Sequence, residues 1–129
     1  CNSIGNILQH GVILEKATLT FNGIGHIIKG AKGADAQQES RVLMLSDQAR
    51  SDANPILLID ENDVTAGHAA SIGQVDPEDM YYLMSRGLDK ATAERLVVRG
   101  FLGSVIVEIP VKEVREEMIA TIEEKLSKR

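Results

Sequence analysis

The sequence predicts an α+β protein, with short β-strands in the first part of the chain and helices in the rest. Residues 1–34 are rich in glycine and β-forming residues, and brief apolar runs separated by polar turns continue to about residue 75. From residue 76 the apolar residues recur at helical spacing instead. This change of period predicts a β-rich part over residues 1–75 and a helical part over residues 76–129, with residues 63–79 as the hinge between them.

The β-rich part is predicted to contain several short strands. Asn22 and Gly23 indicate a turn because both residues tolerate positive φ, and residues 34–40 indicate a polar connector. Pro55 precedes an apolar run at a position where a strand tolerates proline. Many short strands without intervening helices indicate a meander, a sandwich or a stacked-coil solenoid, and no strict repeat distinguishes them. The predicted strands are residues 4–8, 11–14, 17–21, 24–28, 41–46 and 56–59.

The helical part begins with a clear start pattern. Asp76 is a typical N-cap, and Pro77 suits the first helical position. Gly87 is expected to end this helix in the left-handed conformation, and Asp89 is expected to cap the next one. Residues 104–109 fit a strand or a buried helix equally well on pattern alone. Pro110 is predicted to open a third helix, whose apolar residues Val111, Val114, Met118, Ile122 and Leu126 follow helical spacing.

Composition excludes several classes of protein. The 129 residues carry a net charge of −5 and only 3% aromatic residues, which argues against a nucleic-acid partner. The single cysteine, Cys1, permits no internal disulfide, and no apolar run reaches the length of a membrane span. We therefore expect a cytoplasmic protein without a membrane partner.

His68 is the first functional candidate. It lies at the join of the two parts, where Gly67 and Ala69 leave its imidazole with little cover. The chain has no His-x-x-x-His or Cys-x-x-Cys spacing, no phosphate-binding glycine motif and no Gly-x-Ser-x-Gly. The residues alone therefore predict an α+β domain with an exposed histidine at its joint, while His10 and His26 are expected to be ordinary surface or turn histidines.

Six segments together carry a family resemblance. They are Phe-Asn-Gly at 21–23, Leu-Met-Leu-Ser at 43–46 with Ala49, the run at 54–59, Asn-Asp-Val at 62–64, His-Ala-Ala-Ser-Ile-Gly at 68–73, and Tyr-Tyr-Leu-Met-Ser-Arg-Gly-Leu at 81–88. In this order they resemble the C-terminal part of the SufB/SufD family of iron–sulfur cluster assembly proteins. The resemblance extends over nearly the whole chain and is most specific over residues 63–88. Because family members are much longer, it implies that this chain is a C-terminal piece.

The resemblance also implies a finer fold and a branch of the family. Residues up to about 75 would form the last coils of a right-handed parallel β-helix, and the remainder a small three-helix subdomain that includes residues 104–109. Ala49 and Ala69 stand where SufB-type chains carry a cysteine and a glutamate, so the chain is similar to the SufD type. Ala66 replaces a cysteine found in some SufD-type chains, and Leu58 replaces an acidic residue common in the family.

The function that the resemblance implies is that of a scaffold component without catalytic activity of its own. It would pair with a SufB-type subunit at the end of the β-helix and dock a SufC-type ABC ATPase through residues 77–127. His68 would face the boundary with the partner, as one shared iron or cluster ligand or as a proton-handling group. No stably bound cofactor is expected, only a transient iron–sulfur cluster at the interface. A homodimer through the β portion is a further expectation. The docking candidates are Tyr81, Tyr82, Ser85 and Arg86.

Two alternatives belong to other classes. A left-handed β-helix acyltransferase would use a lone histidine, here His68, as general base, although the hexapeptide repeat of such coils is not visible. A purely structural interaction module would leave His68 as a packing residue.

Overall fold

A computed structural model describes residues 2–128, so Cys1 lies outside the described residues. It contains five strands of ten residues each, followed by three helices, and confirms the predicted α+β class. The chain divides into two compact units, Cys1–Gly73 and Gln74–Arg129, here called the β unit and the helical unit. The elements are β1 (Ile4–Ile13), β2 (Thr18–Ile27), β3 (Asp35–Met44), β4 (Arg50–Ile59), β5 (Thr65–Gln74), α1 (Pro77–Ser85), α2 (Lys90–Ile106) and α3 (Lys112–Ser127).

The strands of the β unit alternate between two sheets. One sheet has the order β1-β3-β5, and the other consists of β2 and β4. The β1–β3 pairing is parallel and aligns Ile4 with Asp35, 31 residues later. The β2–β4 pairing is also parallel and aligns Thr18 with Arg50, 32 residues later. Parallel pairing excludes the antiparallel meander, since a meander joins neighbouring strands by hairpins.

Two local predictions for the β unit were wrong. Asn22 and Gly23 do not form a turn but lie inside β2, and residues 35–40 form the first half of β3 rather than a connector. The side-chain amide of Gln38 occupies the space that a side chain at Gly23 would need, so this glycine serves packing between the sheets. Asn22 accepts a hydrogen bond at 3.1 Å from the side chain of Asn54, its partner in the β2–β4 register. Both residues are therefore explained by contacts to distant strands.

The interior of the β unit contains an apolar cluster and a polar layer. The apolar cluster is built from Ile13, Val42 and Ala49, with Leu19, Phe21 and Met44 packed against it. In the middle of β3 the buried side chains are polar, namely Gln38 and Ser40, which are 3% and 2% exposed. The hydroxyl of Ser40 donates to Gln9 Oε1 at 2.8 Å. A polar layer thus occupies the interior at the middle of β3.

The helical unit begins and ends its first helix as predicted. Asp76 Oδ1 accepts from the backbone N–H of Glu78 at 2.8 Å, and Pro77 is the first helical residue. Gly87, at φ +93°, follows the end of α1 in the left-handed region. The second helix continues to Ile106, so residues 104–106 are helical, and a turn follows. The third helix begins at Lys112, two residues after the proline that was predicted to open it. The buried residues of the helical unit include Ala93, Val98, Ile106 and Leu126.

The N-cap residue of α2, Asp89, predicts that acid destabilises this helix. The pKa of Asp89 is lowered from its ordinary value of 3.8, first because the backbone N–H of Thr92 donates to the carboxylate and then because the Thr92 hydroxyl does. A lowered folded pKa stabilises the fold above the unfolded value, and this stabilisation is lost as the pH falls through the folded value. We expect the wild type to lose more helical circular dichroism than Asp89→Asn between about pH 5 and pH 2, because asparagine caps without titrating. Equal losses would contradict this.

Candidate functional site

His68 lies within strand β5 rather than in a hinge. The stretch predicted as a hinge, residues 63–79, contains the whole of β5, from Thr65 to Gln74. This strand is the last of its sheet and has β3 as its neighbour. His68 is exposed, as are the following residues of the strand. The predicted exposure of His68 is therefore found, but a regular strand provides it.

The register with β3 shows which face carries His68. The N–H of Thr65 donates to the carbonyl of Ala34 at 2.9 Å, in the same way that Asp35 N–H donates to Ser3 at the start of the β1–β3 ladder. This bond aligns Thr65 with Asp35 and, three residues on, His68 with Gln38. Because strand side chains alternate, His68 and Gln38 share one face, and Gly67 shares the opposite face with the residue before Gln38.

Two close approaches confirm this assignment of faces. A Cβ at Gly67 would lie 2.6 Å from Gln37 Oε1, so Gly67 and Gln37 are on the same face. Gln38 points instead at Gly23 of the second sheet, so its face is the interior face of the β unit. By the alternation of side chains His68 belongs to that interior face.

His68 is nevertheless exposed because the second sheet ends one strand earlier. The first sheet has three described strands and the second has two, so within residues 2–128 no strand of the second sheet lies opposite β5. Ile72, four residues further along β5, is accordingly 41% exposed. We call this uncovered interior face of β5 the open rung. It presents an imidazole directly above the polar layer that contains Gln38.

The opposite face of the same sheet bears a shallow groove of about 380 Å³. Glu39, on this face, forms an ion pair with Arg41 two residues along the strand. The groove is lined by Asn6, Leu8, Gln37, Gln38, Glu39, Gly67, His68 and Ala69.

His68 can offer one ligand or one proton-transfer group to a metal site. Across residues 2–128 the structure brings no three His, Cys, Asp or Glu side chains together in a way that could hold a metal ion. Iron–sulfur clusters are bound mainly by thiolates, with imidazole as an occasional replacement. A cluster at the open rung would therefore need further ligands from outside the described residues.

His26 and the carboxylates that follow β4 have structural partners. His26 Nε2 lies 2.8 Å from Asp60 Oδ2, which links the ends of β2 and β4 at an exposed position. Glu61 accepts from Gly30 N–H at 2.9 Å, and this bond is the first cause of its lowered pKa, followed by that of Asn62 N–H. These carboxylates therefore link the end of β2 and the residues after it to the residues that follow β4.

The predicted docking residues lie on and just after α1. The guanidinium of Arg86 lies 5.4 Å from the ring centroid of Tyr82, and its Nη2 donates to the Tyr82 hydroxyl at 3.2 Å. Ser85 donates to the Tyr82 carbonyl at 2.7 Å. Tyr81 and Tyr82 are 76% and 57% exposed. The structure thus groups three of the four residues around one ring, and Tyr81 stands exposed beside them.

The sequence analysis missed one residue of the site. It placed Gln38 in a polar connector, although Gln38, Ser40 and Val42 alternate with outward residues as an interior strand face requires.

No helix among residues 2–128 has the length and apolar character needed to cross a membrane.

The chain is similar in sequence to known proteins over most of its length. Residues 1–101 match the family model described as "SUF system FeS cluster assembly, SufBD core domain". The chain is 60% identical over 124 residues to the iron–sulfur cluster assembly protein SufD of Bacillus subtilis, covering 96% of this chain and 28% of the relative. It is 47% identical over 97 residues to an iron–sulfur cluster assembly SufBD family protein of Mycobacterium bovis, covering 74% and 24%. A second such protein of that organism is 34% identical over 111 residues, covering 86% and 13%. The chain thus spans less than a third of the length of these relatives.

Proposed function

Because this chain belongs to the SufB/SufD family of iron–sulfur cluster assembly proteins and is SufD-like, we propose that it acts as a scaffold component on which clusters are assembled. The observation that carries the proposal is the position of His68 on the open rung, where an imidazole is available to a second subunit. The cluster is the cargo of this scaffold, and the chain holds no resident cofactor. The family match disfavours the alternative of a left-handed β-helix acyltransferase.

The proposed architecture of the β unit is the end of a right-handed parallel β-helix. Two features support it: the strands alternate between two parallel sheets, and partner residues lie 31 residues apart between β1 and β3 and 32 apart between β2 and β4. Such a spacing corresponds to one coil containing one strand of each sheet. Right-handed connections are the rule between parallel strands of one sheet.

The proposed partner at the open rung is a SufB-type subunit. Strands β4 and β5 are the last described strands of their sheets, and unpaired strand edges are ready to pair with another chain. Exposed apolar side chains accompany them, among them Ile56 and Leu58 at 44% and 46% exposure. In this arrangement His68 supplies one ligand or moves a proton, and the partner supplies the thiolate and the carboxylate that positions 49 and 69 of this chain, both alanine, do not. The chain alone is then not an enzyme.

The helical unit is proposed to dock a SufC-type ATPase. Aromatic and arginine side chains are enriched in protein interfaces, and α1 presents the Tyr82–Arg86 pair together with the exposed Tyr81. The Ser85 hydroxyl donates to the backbone carbonyl of Tyr82, so Ser85 contributes to the local shape of the docking surface.

A cytoplasmic location is proposed from the family and from the single cysteine of the chain.

Without a partner, the same strand edges are proposed to pair two copies of this chain. Light scattering at high protein concentration is expected to give the mass of a homodimer. A monomer under those conditions would contradict pairing through the β unit.

The scaffold function is tested by anaerobic cluster formation. The assay combines SufB-type and SufC-type proteins with ATP, iron and a sulfide source, with or without the full-length protein in which this sequence occurs. We expect bound iron and sulfide to increase when that protein is present and to co-elute with the complex. Equal cluster content in its absence, with all components folded, would contradict the proposal.

A further inference from the structure

We propose that Gln38 is a positioning residue for His68, which its side-chain amide orients by a hydrogen bond to the imidazole ring. The inference rests on the proposed function of His68 and names a second residue of the same site. It follows from the register of β3 and β5 and from the fact that the buried Gln38 amide has no hydrogen-bond partner within the described residues.

The amide of Gln38 is buried and unpaired. The residue is 3% exposed, and within the described part of the chain neither its Nε2 nor its Oε1 has a hydrogen-bond partner. Burying an amide without a partner is unfavourable, and such groups in native proteins call for an explanation. Leucine would fill a similar volume without that penalty. Glutamine at this position is therefore less favourable for stability than leucine would be, and packing does not explain its presence.

The neighbours of Gln38 leave His68 as the natural partner. On the β1 side its ladder neighbour is Ile7, which is apolar. Two polar side chains beside the amide, Ser40 and Gln9, are bonded to each other through Gln9 Oε1, and Gly23, against which the amide packs, has no side chain. On the β5 side the ladder neighbour on the same face is His68, about 4.8 Å away across the strands. The proposed bond requires the Gln38 amide, which now packs against Gly23, to turn towards the β5 side of the ladder.

The hydrogen-bonding groups of Gln38 and His68 determine how one side chain can orient the other. A neutral imidazole has one N–H donor and one acceptor nitrogen, whereas a glutamine amide can accept from the first or donate to the second. If Gln38 Oε1 accepts the N–H of one ring nitrogen, the other nitrogen is left with its lone pair directed away from the interior. Metal-binding histidines are commonly held in this way by an outer partner, which fixes their tautomer. Gln38 therefore selects the nitrogen that His68 presents at the open rung.

The test compares Gln38→Leu with Gln37→Leu, a matched control on the exposed face of the same strand. The first readout is the ¹⁵N NMR spectrum of the His68 ring in this chain, which reports the ratio of the two neutral tautomers. We expect Gln38→Leu to change that ratio and Gln37→Leu to leave it unchanged. Gln38→Met serves as a second variant that keeps the length of the side chain without the amide.

The second readout is cluster content in the assembly assay. Gln38→Leu is expected to lower the cluster content by about tenfold or more, because loss of the outer partner of a metal-binding histidine commonly has an effect of that size. Unchanged ring signals of His68 in both Gln38 variants would overturn the positioning role, whatever the cluster content. Normal cluster content in His68→Ala would instead overturn the proposed function while leaving the pairing intact.

Discussion

Replacing His68 by alanine is expected to abolish the gain in cluster content that this protein gives to the assembled complex. The imidazole is on the open rung, its backbone is fixed by the β3–β5 ladder, and the alanine variant removes only the ring. Alanine also suits this strand, which already has alanine at positions 69 and 70. The loss should therefore be chemical rather than structural. Anaerobic measurement of bound iron and sulfide checks it, with size-exclusion chromatography to show that the complex still forms.

His26→Ala is the matched control for that experiment. His26 is also an exposed strand histidine, but it is paired with Asp60 at the ends of β2 and β4. Its removal should leave cluster content unchanged. If His68→Ala retained the wild-type cluster content in an intact complex, His68 would be a packing residue and the chain a docking platform. If both variants lost activity equally, the effect would belong to general disturbance of the β unit.

The fold class was predictable because its signals are local. The change from strand-like to helical periodicity, the caps at Asp76 and Asp89 and the left-handed Gly87 all depend on residues within one turn of each other. These features were predicted from the residues alone and are confirmed. The limits of the third helix were less certain, since α3 begins after Val111 without a side-chain cap to mark its start.

The errors arose where the determining contacts are far apart in sequence. Parallel ladders bring together residues 31 or 32 positions apart, so the environment of Asn22 and Gly23 depends on β3 and β4 rather than on their neighbours. A local Asn-Gly rule therefore predicted a turn in the middle of β2. The same distance concealed Gln38, whose polar neighbours suggested a connector.

The features of the candidate site also divide into those that depend on neighbours in the sequence and those that depend on distant residues. Exposure of His68 was predicted from the small residues beside it, but its cause is that no described strand of the second sheet lies opposite β5. Its alignment with Gln38 required the β3–β5 register, which the single hydrogen bond from Thr65 to Ala34 establishes. The grouping of Tyr82, Ser85 and Arg86 is again local, because the residues lie three or four positions apart around the end of one helix.

Replacing Gly23 by valine is expected to have the largest effect on stability. Gly23 is buried, and the amide of Gln38 fills the space that any side chain at this position would need. A branched side chain must displace that buried amide, and overpacking of this kind costs about 1–3 kcal/mol. The free energy of unfolding is measured by denaturant titration. Gly5→Val is the control, because Gly5 is a strand glycine of the same unit with no atom within 4 Å of an added Cβ.

A double-mutant cycle tests whether Gln38 is the cause. Gly23→Ala and Gln38→Ala are compared singly and together, since alanine at position 38 removes the atoms that collide with the new methyl group. We expect the double variant to be more stable than the sum of the single effects predicts, with a coupling energy of about 0.5–3 kcal/mol. Strictly additive effects would show that the two residues do not compete for the same space. A coupling of the expected sign would establish that Gly23 is required by the buried glutamine, because both compete for the same space between the sheets.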